Sequence, residues 1–560
     1  MQPSILAKRG WLLLFLSITA FYFWGLGSLP LVGPDEPRYA EVAREMFARR
    51  DLITPTLGGL PWFEKPPLLY WMMIAGYRLF GVSEYAARLG PAICGLLTAV
   101  FVYWIGKTIE VAGTESSVGE ENQKREGLGR FSALVWLSSL GAIVFSRGAS
   151  FDIVVTMTVT GALACFFAWR LSEVTRSGSD RKVVSDQLLL VCFYLLIGLS
   201  LLAKGLIGTV IPFGVLLFYY LLRREWPNRK FLKSLVWGVP LALLVFAGWF
   251  GPMLSRHGWR FVDQFIIQHH FARFITNKFH HPAPFYFYLP VLVALALPWT
   301  LFLGAAFFTS RRWRWRGRTP LDRLRVFALC WIVVPLVFFS LSESKLTAYI
   351  LPALPSVALL VGERIACFLN AQRGDLVLRS TGILLVGLGI GGGWYLAHQS
   401  SLSVAWVTLG ISPLIIVGAA TLVRPQLRKA LFILIPLALL VTSAIGLSRA
   451  APVLARPESV RDVLALAAAR GYGATPVVQL HTIERTAEFY AADRMTYESN
   501  GEPVKLEGVA QVADAARRNG GLVLCFVPKE YEAQLTDYPN IKAEVMADNG
   551  RVSLVLVRLK

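Results

Sequence analysis

The sequence predicts a mainly α-helical, polytopic membrane protein that carries a small C-terminal α/β domain. Three observations predict it. Hydrophobic residues make up 55% of the 560-residue chain and charged residues only 16%, too few to cover a soluble protein of this size. Apolar stretches of spanning length recur between residues 10 and 449. From residue 451 onward the composition turns into that of an ordinary globular domain.

Taken in order, the apolar stretches lie near 10–30, 91–111, 131–148, 152–170, 187–203, 206–222, 234–254, 284–309, 326–341, 346–366, 380–397, 404–423 and 430–449. They predict about thirteen transmembrane helices of roughly 20 residues each. The first follows Lys8-Arg9 and shows no small-x-small cleavage site, so it reads as an uncleaved helix rather than a signal peptide. "PPLLYWMMIAGYRLFG" (66–81) is shorter and rich in Trp and Tyr, and reads as an interfacial helix.

Basic residues set the orientation. The segment 311–325 carries seven Arg, 223–233 five basic residues, 170–182 four and 424–429 three. With Lys8-Arg9 inside, all of these fall on the cytoplasmic side. The loops 31–90, 149–151, 204–205, 255–283, 342–346 and 398–403 then face outward. An odd number of spans puts the C-terminal domain outside too. The net charge of +20 is therefore mostly a topology signal, and no nucleic-acid partner is expected. These rules divide the chain into 1–450, a membrane domain with an outer loop at 31–90, and 451–560, an α/β domain.

In the second part "PVVQLH" (476–481), "GLVLCFV" (521–527) and "VSLVLVRL" (552–559) read as strands. Residues 457–471 and 508–521 read as helices ending in Gly. Cys94, Cys165, Cys192, Cys330 and Cys367 fall in apolar segments and Cys525 stands alone in the C-terminal part. No CxxC pair exists, which excludes a thiolate metal motif or a disulfide framework as an organising feature.

The predicted spans carry almost no ionisable residues, unlike a transport path lined with charges. Charges gather instead in the outer loops beside span ends, which suits chemistry on a lipid-anchored substrate. Residues 36–50, "EPRYAEVAREMFARR", place Val42, Ala43, Met46 and Phe47 on one helical face and predict an amphipathic helix lying on the interface. Asp35 precedes it, either as a plain N-cap or as a reactive carboxylate. In "WFEKPPLLYW" (62–71), Glu64-Lys65 before two prolines form a rigid, non-helical turn: a surface ion pair, or a grip on a phosphate and a metal. Asp152, Lys204, Lys345, Tyr349, His269, His270 and Arg273 sit at the outer ends of other spans or in the outer loops. Each alone reads as an interface anchor. Together they place two carboxylates, several cations and a His pair at one membrane surface.

Asp35-Glu36 after the first span, "RYAEVAREM", "FEKPP", the "AKG" turn and "KLTAYILP" resemble the lipid A aminoarabinose transferases. These belong to the GT-C class of multispan glycosyltransferases that use polyprenyl-phosphate sugars and include the protein mannosyltransferases. The resemblance covers the membrane part and is specific for the class more than for the sugar. It implies a donor of undecaprenyl phosphate bearing 4-amino-4-deoxy-L-arabinose and a lipid A phosphate as acceptor, at the periplasmic face of the bacterial inner membrane. The product resists cationic antimicrobial peptides such as polymyxin.

The resemblance implies Asp35 as the catalytic carboxylate, with Asp152 as a weaker partner. Breaking the bond between the anomeric carbon and the phosphate places negative charge on the departing lipid, which aimed cations stabilise. Arg38, Lys65, Lys204, Arg273, Lys345 and Tyr349 are the candidates, and the resemblance supports Arg38, Lys65 and Tyr349 best. Glu64 with His269 or His270 offers oxygen and nitrogen ligands for zinc or another divalent metal; no nucleotide cofactor is expected. Two alternatives stand beside this reading: transfer of another lipid-linked sugar, such as mannose or galacturonic acid, to a protein or glycan, and a flippase for lipid-linked sugars.

Overall fold

The computed structural model describes residues 5–114, 126–175, 183–272, 283–370, 375–399, 402–499 and 501–560. Among the described residues, nine helices are long and apolar enough to cross a membrane, and two bent helix pairs raise the number to eleven. The chain is a multi-pass membrane protein. The bends fall inside two of the expected spans, near 131–148 and 284–309. Leu128–Leu137 and Leu140–Ser146 meet at 58°, and Tyr288–Leu295 meets the helix after it at 116°. The two breaks touch. The Leu140 N–H donates to the Leu297 carbonyl at 2.9 Å, and the Trp299 indole donates to the Ser138 hydroxyl at 3.0 Å. A broken helix in apolar surroundings finds no water, so each break satisfies polar groups of the other. The apolar run is unbroken in sequence, which is why pattern alone hides the bend.

Three of the four basic segments converge. Arg170, Arg223 and Arg323 all bind the Glu225 carboxylate, at 2.8, 2.9 and 2.9 Å. They close one end of the bundle, as the charge pattern requires.

At the other end, the segment 31–90 forms the helix Asp35–Arg49. Its apolar face packs against protein. Tyr39, Ala40, Val42, Ala43 and Met46 are buried. One side packs on the helix Leu68–Phe80, whose Tyr77 hydroxyl donates to the Ala40 carbonyl at 3.0 Å. Another side carries the helix Arg485–Tyr490 of the C-terminal domain. An amphipathic stripe shows that a face is buried, not what buries it. Leu68–Phe80 has 13 residues. That makes about 20 Å of helix, well short of the roughly 30 Å hydrocarbon layer. Between these helices β1 (Thr56–Leu57) and β2 (Leu60–Pro61) form a hairpin. Its turn is Gly58-Gly59, at φ +61° and +76°. The Glu45 carboxylate accepts from the Gly58 and Gly59 N–H groups at 2.6 and 3.1 Å.

The C-terminal sheet orders its strands β4-β3-β5-β7-β6. These are β3 (Val477–Leu480), β4 (Lys505–Leu506), β5 (Leu522–Pro528), β6 (Ile541–Asp548) and β7 (Val552–Leu559). Leu524 and Phe526 of β5 enter one core, while Val523, Cys525 and Val527 enter the other. Helices Arg461–Ala467 and Val509–Arg518 cover opposite faces. The three expected strands form. The strand β6 and the helix Arg485–Tyr490 were not expected, because exposed Lys542 and Glu544 blur the strand pattern and the helix has only six residues. No disulfide joins any of the six cysteines.

Candidate active site

A cavity of about 980 Å³ opens at the end of the bundle away from Glu225. Seven of the expected residues line it: Asp35, Arg38, Glu64, Lys65, Asp152, Lys204 and Tyr349. They come from five separate segments, so only the fold assembles them. Residues 443–454 of the last long helix close one side with Ser443, Gly446, Leu447, Ala450, Ala451 and Leu454. The cavity is thus charged at one side and apolar at the other, matching a phosphate on a hydrocarbon chain.

Asp35 stands in the first turn of its helix, and Pro34 holds the cap position without a side-chain bond. The plain N-cap reading fails. The carboxylate is exposed and lines the cavity. Arg38 follows one turn on, its guanidinium 5.2 Å from the Trp62 ring centre. Glu64 and Lys65 occupy a non-helical turn, as two following prolines dictate. Lys204 ends the helix Val183–Lys204, where Gly205 at φ +68° turns the chain. Its ammonium pairs with the Asp152 carboxylate and lies 4.5 Å from the Tyr349 ring centre.

The frame beneath these groups rests on Glu36 and Arg88. The Arg88 guanidinium donates to Glu36 at 2.7 and 3.2 Å and to the carbonyls of Leu26, Leu29 and Pro30. Glu36 also accepts from the Ala149 N–H at 2.6 Å. Burial pushes this carboxyl up, but Arg88 and the backbone N–H groups of Ala149 and Val32 outweigh it and hold it below the usual range. One pair therefore ties the first loop to the turn that carries Asp152. Arg147 caps the N-terminal helix Ile5–Phe23, donating to the Phe21 and Trp24 carbonyls at 2.5 and 2.7 Å. Sequence reading missed Arg88 and Arg147 as cavity residues. Arg88 binds a carboxylate 52 positions away, and no local signal marks it.

Lys345 is not among the lining side chains. It is buried, and its ammonium donates to the Ser342 carbonyl three residues back. His269 lies 4.0 Å from Glu64. The His270 side chain and Arg273 fall outside the described residues. Among the described residues no group of three His, Cys, Asp or Glu side chains is arranged to hold a metal ion. Glu64 and His269 would supply two of the four ligands that a zinc site ordinarily takes.

A bundle of spans with a cation-lined, half-apolar cavity at one end defines a class: a membrane glycosyltransferase dependent on a polyprenyl-phosphate sugar. Residues 10–315 match the model for dolichyl-phosphate-mannose-protein mannosyltransferase, and the chain belongs to that family. It is 31% identical to the undecaprenyl phosphate-alpha-4-amino-4-deoxy-L-arabinose arabinosyl transferase of Erwinia tasmaniensis, over 76% of this chain and 74% of that one. The protein of the same name from Pseudomonas aeruginosa is 31% identical over 68% of this chain and 64% of its own length. The chain thus spans about two thirds to three quarters of these relatives. Among solved structures, ArnT from Cupriavidus metallidurans, bound to undecaprenyl phosphate, shares the fold with a TM-score of 0.76 at 22% identity, over 98% of both chains. The Archaeoglobus fulgidus oligosaccharyltransferase shares it more distantly, with a TM-score of 0.51 over 95% of this chain and 71% of that one.

Proposed function

We propose that this enzyme moves 4-amino-4-deoxy-L-arabinose from undecaprenyl phosphate to a phosphate of lipid A, at the periplasmic face of the bacterial inner membrane. Adding a positive group there lowers the affinity of cationic antimicrobial peptides. The observation that carries the reading is the cavity itself, where Arg38, Lys65, Lys204 and Tyr349 share a wall with Asp35 and Asp152 beside an apolar side. The relatives named as aminoarabinose transferases support the choice of sugar.

In this reading Arg38 and Lys65 face the donor phosphate. Arg gives a bidentate grip and Lys a point charge, and both stabilise the negative charge that grows as the anomeric bond breaks. Lys204 reaches the site already partnered by Asp152, so its net pull on a phosphate is smaller. A phosphate acceptor is largely ionised near neutral pH, its second pKa being about 6. Asp35 then orients the acceptor, steadies the oxocarbenium-like sugar or holds its amine; for a hydroxyl acceptor it would remove the proton. A divalent ion on Glu64 and His269 remains a proposal, and no step here depends on it.

The thirteen-span count belongs to the same proposal. The short apolar helices Arg9–Phe23 and Ile207–Arg223 bring eleven spans to thirteen, with the boundary of the outer domain at 450/451. Cys525 is fully buried and unsuited to labelling, so the orientation is checked at an exposed strand position, Lys542→Cys. Labelling by an impermeant thiol reagent from the periplasmic side supports it; labelling only from the cytoplasmic side overturns it.

The family model's mannosyltransferase description favours one second reading, transfer of mannose to a protein hydroxyl. Incubation of the purified protein with lipid A and undecaprenyl-phosphate-linked aminoarabinose or mannose, read by mass spectrometry, decides. A gain of one aminopentose on lipid A is the expected result; mannosylated protein and unmodified lipid A would sink the proposal.

A further inference from the structure

The C-terminal domain meets a cavity-lining residue, Arg38, through a buried side chain. Glu488, on the helix Arg485–Tyr490, has a fully buried carboxylate whose Oε2 stands 3.7 Å from Nε of Arg38. Its other oxygen accepts from Arg485 at 2.9 Å. Arg485 in turn pairs with Glu502. Neither Glu488 Oε2 nor Arg38 Nε has a hydrogen-bond partner among the described residues. Two buried, oppositely charged atoms thus face each other across a gap about 1 Å wider than a charge-assisted hydrogen bond.

The surrounding contacts fix this approach. The Leu31 N–H donates to the Tyr490 hydroxyl at 2.7 Å, and that hydroxyl donates to Glu84 at 3.0 Å. Arg44 donates to the Phe489 carbonyl at 3.4 Å. The helix bearing Glu488 is therefore seated on the loop that bears Asp35 and Arg38. The Arg38 guanidinium carbon lies over the Trp62 ring, 5.2 Å from its centre. A carboxylate at Nε leaves the two terminal nitrogens for an anion in the cavity. A guanidinium held against a ring and, at one edge, by a carboxylate loses little freedom when it binds.

We propose that Glu488 is a positioning residue: the C-terminal domain uses it to aim Arg38 at the phosphate of the lipid donor. The inference rests on the reading of Arg38 as a donor-phosphate ligand. The Glu488 carboxylate fixes the edge of the guanidinium, and binding of a phosphate by the terminal nitrogens closes the 3.7 Å gap. The domain is then part of the active site and not an appendage to it.

The test measures binding of undecaprenyl phosphate to the purified full-length protein in wild type, Glu488→Gln, Arg38→Lys, Arg38→Ala and the Glu488→Gln/Arg38→Lys double variant. Glu488→Gln keeps the shape and removes the charge. Affinity is expected to fall about tenfold to a hundredfold, the weight of a hydrogen bond to a charged group. The double variant should be no worse than Arg38→Lys alone, because Glu488 acts only through Arg38. Wild-type affinity in Glu488→Gln overturns the proposal, as do losses that add. Wild-type affinity in Arg38→Ala sinks the reading of Arg38 instead, a distinguishable failure. Should Glu488→Gln not fold, Glu488→Asp gives the same readout. It keeps the charge but draws it back by a methylene, so a severalfold weaker affinity supports the proposal and an unchanged one overturns it.

Discussion

The Lys204 ammonium, at the end of one helix, pairs with the Asp152 carboxylate at the start of another, beneath the Tyr349 ring. Both side chains are largely shielded, at 10% and 14% exposure, so removing one strands the other. Lys204→Met is expected to destabilise the protein by about 3 kcal/mol, because an unpaired buried charge remains. Adding Asp152→Asn should restore most of that stability. Transfer activity should stay low in the double variant if Lys204 also serves the donor. Thermal unfolding and turnover, measured on the three variants, separate the two roles. Recovery of activity together with stability would leave the pair a purely structural one.

Asp35 projects into the cavity without capping its helix. Its weight in catalysis depends on the acceptor. With lipid A phosphate, Asp35→Asn should cost about tenfold in kcat, since no proton needs removing. With a hydroxyl acceptor the loss of a general base costs about a hundredfold to ten-thousandfold. Turnover of the purified variant with each acceptor class measures which holds. Full activity with both would end the case for a necessary carboxylate.

Two carboxyls of the helix Asp35–Arg49 give opposite pH dependences. Glu36 is pushed up by burial but held below the usual carboxylate range by Arg88 and backbone N–H groups. Its stabilisation is present above the unfolded pKa and is lost as pH falls through the lower folded value. Glu41 is pushed up to about 8 by burial, against the pull of Arg44. Its contribution is complete below the unfolded pKa and fades as pH rises through about 8. Glu36→Gln should flatten the acid arm of the unfolding temperature, and Glu41→Gln the alkaline arm. Unaltered arms in both variants would refute these assignments.

The hairpin offers an internal control. At Gly58, φ is +61° and an added Cβ would lie 2.3 Å from the Tyr497 ring of the C-terminal domain. At Gly59, φ is +76° and the space is open. Gly59→Ala should cost about 1 kcal/mol, the strain of a left-handed residue. Gly58→Ala should cost about 2 kcal/mol more, since the ring must move. Equal losses by thermal unfolding would mean that Tyr497 does not press on the turn.

Much of the site was legible before folding. Asp152, Lys204 and Tyr349 sit at span ends and Asp35, Arg38, Glu64 and Lys65 in the charged loop 31–90, and charge beside apolar segments marks a polar site near a membrane boundary. Lys345 shares that placement but turns back onto its own backbone, which only local geometry reveals. The loop helix was legible as amphipathic, but not what covered it. Its cover includes a helix more than 400 residues away, and periodicity carries no information about a distant partner.

The sequence by itself determined the membrane class, the places where apolar runs occur, the common end of the basic loops and most of the cavity's polar residues. Each is a local property: length of an apolar run, charge beside it, prolines after a turn. Tertiary structure alone decided that Arg88 locks Glu36, that Asp152 neutralises Lys204 and that Glu488 faces Arg38. Those pairings depend on how separate helices and a whole domain pack, and buried charges settle on whichever partner the packing brings within reach.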